Sequence, residues 1–207
     1  MSVTLDGNSL TLEAVGEVAR GGATIDIAPG AAAAVEESWQ FLRRLVAEGR
    51  PIYGLTTGFG ALDGEAIPAD LNRQQQRCLL KSHAASVGPP MAKDTVRAMM
   101  TVRANVLASG LTGVSPEALA ALIAMVNRDV TPTVPSYGSV GACGDLSPLA
   151  HMALPMIGLG EATMGGTVMT GAAALEAAGI ALPAVEGRDG IALINGTEQT
   201  TGIGVLA

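Results

Sequence analysis

The stretch GSVGACGDLSPLAH, residues 138–151, places three glycines around a cysteine and leads directly into a helical pattern. A phosphate-binding loop is its weakest interpretation, because Asp145 follows at once and no lysine lies where such a loop needs one. A nucleophilic Cys143 at a helix N-terminus is a better one, since the helix dipole lowers a thiol pKa and His83 or His151 can serve as base. A buried, inert cysteine in a tight loop is the structural alternative.

The same stretch also permits the backbone to cyclise. Small residues on both sides of Cys143 let the backbone nitrogen of Gly144 approach the carbonyl carbon of Ala142, where bulky side chains would block closure. Glycine also tolerates the strained dihedral angles that such a ring needs. The residues alone leave cyclisation, a nucleophilic thiol and an inert thiol open.

The composition of the whole chain excludes several classes of protein and favours helices. The chain has 207 residues, a formal net charge of −7 and 48% apolar residues, enough to bury a core in one domain or in a domain and a half. Its basic residues are scattered, so no nucleic-acid partner is expected. The most apolar stretch, residues 146–160, is too short to span a membrane. Aromatic residues make up only 2%, which favours close-packed helices over a sandwich or barrel.

The N-terminus and the cysteines indicate a cellular compartment. The opening residues MSVTLDGNSL have neither a basic region nor an apolar core, so no secretory signal is visible. Two cysteines, Cys78 and Cys143, do not make a disulfide framework. A reducing cytoplasm is therefore the expected location.

Apolar spacing and capping residues predict a series of helices. Asp70 is the expected cap of one helix, with Leu71, Cys78, Leu79 and Ser82 near one face, and Ser115 is the expected cap of another. Pro155 is expected to bend a helix. The predicted helices cover residues 12–20, 31–48, 70–85, 96–109, 115–127, 145 or 147 onward, 170–178 and 189–194. A small hairpin over residues 164–170 is the one place where strands are expected.

The last residues, GIGVLA (202–207), form an apolar segment without a cap, a charge or a polar tail. We expect either that the chain is cut inside a helix or that a second polypeptide covers this face. A short frayed tail is the alternative.

Residues 138–151 resemble the Gly-Ser-Val-Gly-Ala-Ser-Gly-Asp-Leu-Ala-Pro-Leu-Ala-His motif of the aromatic amino acid ammonia-lyases and aminomutases, the histidine-type lyases above all. Three further pieces are similar to the family and follow in its order: YGLTTGFG (53–60), KSHAASVGPP (81–90) and INGT (194–197). The resemblance covers essentially the whole chain.

The resemblance implies a mainly α fold, namely the N-terminal part of the fumarase/aspartase-like ammonia-lyase fold with active-site loops and one small hairpin. Residues 1–207 then form one active-site portion, from which the C-terminal helical bundle is absent. Loops 51–66 and 131–145 are expected to form one wall of the active site.

The resemblance also implies a self-derived prosthetic group. In the family the Ala-Ser-Gly triplet cyclises into 4-methylidene-imidazol-5-one (MIO), an electrophile; here the triplet is Ala142, Cys143 and Gly144. A thiol can leave as hydrogen sulfide where serine loses water, so the same electrophile is accessible from Cys143. The alternative is that cyclisation stalls. No metal is expected.

Four further residues receive roles from the resemblance. Tyr53 matches the tyrosine that removes the β-proton; a free phenol has a pKa of about 10, so its surroundings must tune it. Gly60, in the same motif, is expected to contact the substrate. Asn195 matches the asparagine that binds the electrophile or the substrate amine. His83 matches a contact to the substrate side chain, and its Ser-His pair favours histidine, although some tyrosine aminomutases also carry it.

Two nearby residues receive different expectations. His151 is expected to be structural. Glu198 stands where histidine-type enzymes tend to have Gln, and we expect it to alter the polar network around the substrate.

The expected function is non-oxidative elimination of ammonia from an aromatic or heteroaromatic L-amino acid, histidine first. The alternatives are a 2,3-aminomutase, a non-catalytic subunit in which Cys143 stays a thiol and, more remotely, a cysteine hydrolase. Family members are longer, and their sites are built from several subunits of a tetramer. The expected partners are therefore the small amino acid substrate and a second polypeptide with the C-terminal half, in a homo- or hetero-tetramer.

Overall fold

The computed structural model describes residues 1–140 and 144–207, and helices dominate it as predicted. The helices are α1 (Leu12–Ala19), α2 (Pro29–Ala47), α3 (Asn72–His83), α4 (Lys93–Ala108), α5 (Pro116–Asn127), α6 (Leu146–Ala153), α7 (Gly171–Ala177), α8 (Asp189–Ile194) and α9 (Glu198–Leu206). The strands are β1 (Ser2–Leu5), β2 (Thr24–Ile27), β3 (Val87–Pro90), β4 (Thr131–Pro132), β5 (Pro135–Tyr137), β6 (Glu161–Met164) and β7 (Thr167–Thr170). Within these described ranges, no helix has the length and apolar character needed to cross a membrane.

Helix α4 forms the centre of the core. Its residues Met99, Met100, Ala104 and Leu107 are fully buried, and the helix packs against α1, α5 and α9. Full burial of an apolar side chain as large as Leu or Met contributes about 1.5–3 kcal/mol. Gly202 lets α9 lie close to α4, because a Cβ there would come within 3.1 Å of the Met99 nitrogen. Leucine, methionine and alanine side chains thus fill this core in place of aromatic side chains.

A buried cation joins three helices of this core. Arg97 of α4 is 5% exposed and donates hydrogen bonds to the carbonyls of Val18 and Val126, near the ends of α1 and α5. Burial lowers the pKa of Arg97, an effect that Asp129 partly offsets. The guanidinium therefore donates to carbonyl groups in the last turns of α1 and α5, where helical partners are few.

The predicted start of α5 is confirmed. The Ser115 hydroxyl accepts a hydrogen bond from the Ala118 N–H at 3.1 Å, and Pro116 occupies the first turn. Pro155 ends α6 rather than bending it, in a turn of 3-10 helix over Leu154–Ile157.

The prediction for α3 is wrong in two respects. Asp70 does not cap it but lies in a preceding 3-10 turn, Ala69–Leu71. Its buried residues are Gln76, Leu79 and Leu80, whereas Leu71 and Cys78 are exposed. The buried face is displaced because backbone groups satisfy the Gln76 amide in the interior.

The hairpin over residues 164–170 is confirmed, and its first strand starts earlier than predicted: β6 and β7 pair antiparallel from Glu161 to Thr170. The expectation that strands occur only there is wrong. Strands β1 and β2 pair in parallel, β3 pairs antiparallel with β5, and β4 adds to β6. These strands are two to four residues long, too short for local periodicity to reveal them.

Candidate active site

A cavity of about 670 Å³ opens beside the end of α3. It brings His83 together with Gly144, the last residue of the expected cyclising triplet. Ala142 and Cys143 lie outside the residues that the structure describes. The described lining residues are Ser82, His83, Ala85, Ser136, Tyr137, Gly138, Ser139, Val140, Gly144, Leu146 and Ser147.

His83, the last residue of α3, has one ring nitrogen fixed by the helix. Its Nδ1 lies 3.0 Å from the Leu79 carbonyl oxygen and 3.1 Å from the Ser82 hydroxyl. A carbonyl oxygen only accepts, so we assign the proton to Nδ1. Nε2 is then an acceptor for an N–H or O–H donor on an aromatic ligand.

Gly144 adopts a backbone conformation that glycine alone takes readily, with φ of +104°. A Cβ at this position would overlap the Gly196 carbonyl oxygen. That oxygen also accepts a hydrogen bond from the Asp145 N–H at 2.5 Å. The turn at Gly196 therefore lies directly against the backbone that follows Cys143.

This arrangement fits the prosthetic group that the resemblance implies. Ring closure uses the nitrogen of the third triplet residue, and a bulky side chain there would block it. At Gly144 the structure leaves no room for a Cβ and requires a left-handed backbone. The residue whose nitrogen would close the ring is therefore one that only glycine fits.

Asp145 joins α6 to α9. It occupies the cap position of α6 without a side-chain capping bond. Its carboxylate accepts instead from the N–H of Thr200 at 2.7 Å and from the Thr200 hydroxyl at 3.1 Å. The segment after the triplet is thus tied to α9 by both its backbone and its side chain.

Asn195 ends α8 beside this segment, with an exposed side chain. Its carbonyl oxygen accepts from Arg103 Nη1 at 3.1 Å, and Arg103 also donates to the Ala192 carbonyl. The same Nη1 lies 2.7 Å from Glu198 Oε1, and the two side chains are 2% and 4% exposed. Glu198 therefore lies in the interior beneath the Asn195 turn. Its expected effect on the polar network around the substrate stays a prediction. The Arg103 guanidinium, which extends from α4, is the buried cation that pairs with the Glu198 carboxylate.

Tyr53 lies in the loop before α3, with 43% of its surface exposed. Its phenolic oxygen accepts a hydrogen bond from the Gly60 N–H at 3.0 Å. Its ring packs edge-on against Phe59, with ring centroids 5.9 Å apart. A backbone donor from the same motif thus reaches the phenol. The expected contact of Gly60 with substrate stays a prediction.

The two loops expected to form one wall, residues 51–66 and 131–145, line different cavities. Residues 136–140 and Gly144 line the cavity beside His83, but Tyr53, Gly60 and Asn195 are not among its described lining residues. Part of the loop over residues 51–66 instead lines a second cavity of about 670 Å³ next to Trp39. A wall made jointly by both loops stays a prediction.

His151 supports the cavity from behind. Its Nε2 accepts from the Ser86 N–H at 3.2 Å, and burial lowers the pKa of the imidazole. The Ser86 hydroxyl is 2.7 Å from the Ser147 hydroxyl, which lines the cavity. These contacts agree with the structural role expected for His151.

Sequence reasoning missed three amide side chains of α3. Asn72, Gln75 and Gln76 all bond to the backbone of the Tyr53 loop. Their spacing, i, i+3 and i+4, places them on one helical face. A row of amides at that spacing beside a glycine-rich loop is the signal that could have found them.

Comparison with known proteins gives consistent results. A family model described as aromatic amino acid lyase matches residues 10–207. The histidine ammonia-lyase of Gloeobacter violaceus is 46% identical over 204 residues, which cover 99% of this chain and 40% of that protein. The chain spans about 40% of the length of the curated relatives it matches.

Solved structures are similar over the entire chain. Ergothionase from Treponema denticola has a TM-score of 0.96 at 30% identity and is covered over 41% of its length. Tyrosine aminomutase from Streptomyces globisporus has a TM-score of 0.93 at 37% identity and is covered over 39%. The fold expected from the resemblance is confirmed.

Proposed function

The chain belongs to the aromatic amino acid lyase family, and we propose that it forms the N-terminal part of an active site that eliminates ammonia from an aromatic or heteroaromatic L-amino acid. L-Histidine is the first candidate substrate. The observation that carries the proposal is the cavity that unites His83 with Gly144, beside the turn that bears Asn195.

We propose that the electrophile forms from Ala142, Cys143 and Gly144. The Gly144 nitrogen bonds to the Ala142 carbonyl carbon, whose oxygen leaves as water with the N–H hydrogens of Gly144 and Cys143. A C=N bond to the Cys143 nitrogen replaces the lost carbonyl. The Cys143 Cα–H proton and the thiol then leave together as hydrogen sulfide, which creates the exocyclic double bond. The close contact of Gly144 with the Gly196 carbonyl supports this closure.

The methylidene-imidazolone supplies an electrophilic centre that turns the substrate amino group into a good leaving group. The chain's own residues perform the remaining tasks. Tyr53 removes a proton from the substrate β-carbon, and the Gly60 N–H, which donates to the phenolic oxygen at 3.0 Å, orients that oxygen. As the Cα–N bond breaks, the electrons of the Cβ–H bond form the new double bond, and ammonia is released.

The substrate side chain is proposed to lie against His83. With its proton on Nδ1, His83 presents Nε2 as an acceptor, which suits an imidazole N–H or a phenol O–H and offers nothing to a phenyl ring. Asn195 is proposed to bind the amino group or the electrophile through its side-chain amide. The names of the matched relatives, histidine ammonia-lyases, support histidine over tyrosine.

A 2,3-aminomutase is the second candidate, favoured by the similarity to tyrosine aminomutase. It would return the ammonia to the β-carbon and give a β-amino acid. A non-catalytic subunit in which Cys143 stays a thiol is the third. These three functions differ in product, since the last gives none.

We further propose that the rest of the active site comes from a polypeptide with the C-terminal half of the family fold. The chain spans about 40% of its curated relatives, and the proposed assembly is a homo- or hetero-tetramer. The unmatched portion of those relatives is the natural source of groups that bind the substrate carboxylate.

An assay with added C-terminal half tests the proposal. The 207-residue chain is co-expressed with the remaining portion of the Gloeobacter violaceus relative and given L-histidine, L-tyrosine or L-phenylalanine. A near-ultraviolet conjugated acid from histidine, lost in Tyr53→Phe and Cys143→Ala but kept in Cys143→Ser, is the expected result. A β-amino acid product would select the mutase, and turnover that survives Cys143→Ala would contradict the electrophile.

A further inference from the structure

Helix α3 holds the Tyr53 loop through side-chain amides. Gln76 is fully buried and donates from Nε2 to the Gly54 carbonyl, next to Tyr53, at 2.9 Å. Gln75 donates to the Thr57 carbonyl at 3.0 Å, and Asn72 donates to the Leu55 carbonyl at 3.0 Å. Residues 51–59 contain no helix and only an isolated bridge at Thr57. A segment of this kind depends on such side-chain partners for its position.

Two of these amides also hold α8, which leads to Asn195, and the residues just before it. Gln76 Oε1 accepts from the Gly190 N–H at 3.0 Å, and Asn72 Oδ1 accepts from the Gly187 N–H at 2.7 Å. A Cβ at Gly190 would lie 2.8 Å from the Gln76 side-chain and backbone oxygens. Helix α8 can therefore approach α3 this closely only with glycine at that position.

We propose that Gln76 is a positioning residue that fixes the Tyr53 phenol relative to Asn195. One end of its amide bonds the loop that carries the base, and the other end bonds the helix that carries the asparagine. The helix that bears Gln76 ends at His83, so α3 serves as a common support for three residues of the site. The inference rests on the proposed function, in which Tyr53 removes the β-proton.

The Gly60 amide reports where the phenol is, because its N–H donates to the Tyr53 oxygen. The chain is labelled with ¹⁵N-glycine, and the Gly60 signal among the 27 glycines is assigned by the change in Tyr53→Phe. In Gln76→Met we expect this signal to move toward its Tyr53→Phe position. Its hydrogen exchange should become about fivefold faster or more, as for the loss of one hydrogen bond. The exposed neighbour Gln74→Met is the matched control and should leave Gly60 unchanged.

Gln76→Glu separates positioning from general support of the fold. The ionised carboxylate can accept from Gly190 but cannot donate to Gly54, whereas the protonated acid can do both. The Gly60 signal should therefore be displaced at high pH and return at low pH. If Gln76→Met does not fold, Gln75→Met, which removes a single bond to Thr57, takes its place with a smaller shift.

A folded Gln76→Met chain with the Gly60 signal of the wild type would overturn the inference. The readout involves neither substrate nor electrophile, so absence of lyase activity would defeat the proposed function and leave this result standing. In an active assembly, Gln76→Met should lower kcat about tenfold and leave KM within about twofold, because the base is displaced and the substrate contacts remain.

Discussion

Arg103 Nη1 and Glu198 Oε1 lie 2.7 Å apart in the interior, directly beneath the turn of Asn195 and Gly196. A Cβ at Gly196 would overlap both side chains. The ion pair thus supports the turn whose carbonyl oxygen lies against Gly144. A contact between α4 and α9 therefore sets the position of the backbone next to the expected electrophile.

Arg103→Met should destabilise the chain by about 3–5 kcal/mol, because it leaves the Glu198 carboxylate buried without its counter-charge. Urea unfolding measures the change. Adding Glu198→Met should restore part of the loss. The control is Lys93→Met. The pair of Lys93 with Asp129 is about half exposed, so this variant should lose no more than about 1 kcal/mol of stability. Equal losses for Arg103→Met and Lys93→Met would contradict the role given to the buried pair.

Asp189 should make the chain less stable as pH rises from about 4 to about 6. Burial raises its pKa from 3.8 to about 6, against hydrogen bonds from Ser115 and Glu186 that lower it. The folded state then holds the proton more tightly than the unfolded state, so its contribution is complete below pH 4 and falls by about 3 kcal/mol through pH 6.

Unfolding free energies at several pH values test this linkage. Asp189→Asn should remove that part of the pH dependence, and the exposed Asp63→Asn should keep it. If the unfolding free energy of Asp189→Asn keeps the wild-type slope between pH 4 and 6, Asp189 is not the source of the pH dependence.

Gly144→Ala should abolish cyclisation and destabilise the chain by more than about 1 kcal/mol, since alanine meets both a φ of +104° and the Gly196 carbonyl. Gly166→Ala is the matched control: its φ is +81°, but nothing lies within 4 Å of the added Cβ. Mass spectrometry and thermal unfolding compare the two variants. A Gly144→Ala chain that still loses water and hydrogen sulfide would refute the requirement for glycine.

His83→Phe should change substrate preference in the assembled enzyme. The variant removes the Nε2 acceptor, so the KM for L-histidine should rise about tenfold while L-phenylalanine becomes a relatively better substrate. Steady-state kinetics on both amino acids check this. Unchanged discrimination between them would place the substrate side chain away from His83.

Local sequence signals predicted the elements whose stability is local. The Ser115-Pro116-Glu117 start of α5 carries its own cap and first-turn acid, and the hairpin around Gly165 and Gly166 carries its own turn. Motifs also predicted that His83 and Gly144 belong to one site, and both residues line the same cavity.

Long-range partners account for what the sequence did not predict. Gln76 looks like a surface residue within NRQQQRCLL, and it is buried because the Gly54 carbonyl and the Gly190 N–H satisfy it from both sides. In the sequence, Glu198 is a departure from the family's Gln beside a site motif. Its burial could not be predicted, because it depends on the pair with Arg103, 95 residues away. The parallel pairing of β1 with β2 likewise depends on a contact across an intervening helix.

The most direct test of the electrophile is the intact mass of the denatured chain, followed by the mass of the tryptic peptide of residues 129–188, which contains the triplet. We predict a deficit of one water plus one hydrogen sulfide within residues 142–144, with Cys78 the one thiol left to titrate. An unmodified mass with a second titratable thiol at Cys143 would contradict the proposed chemistry.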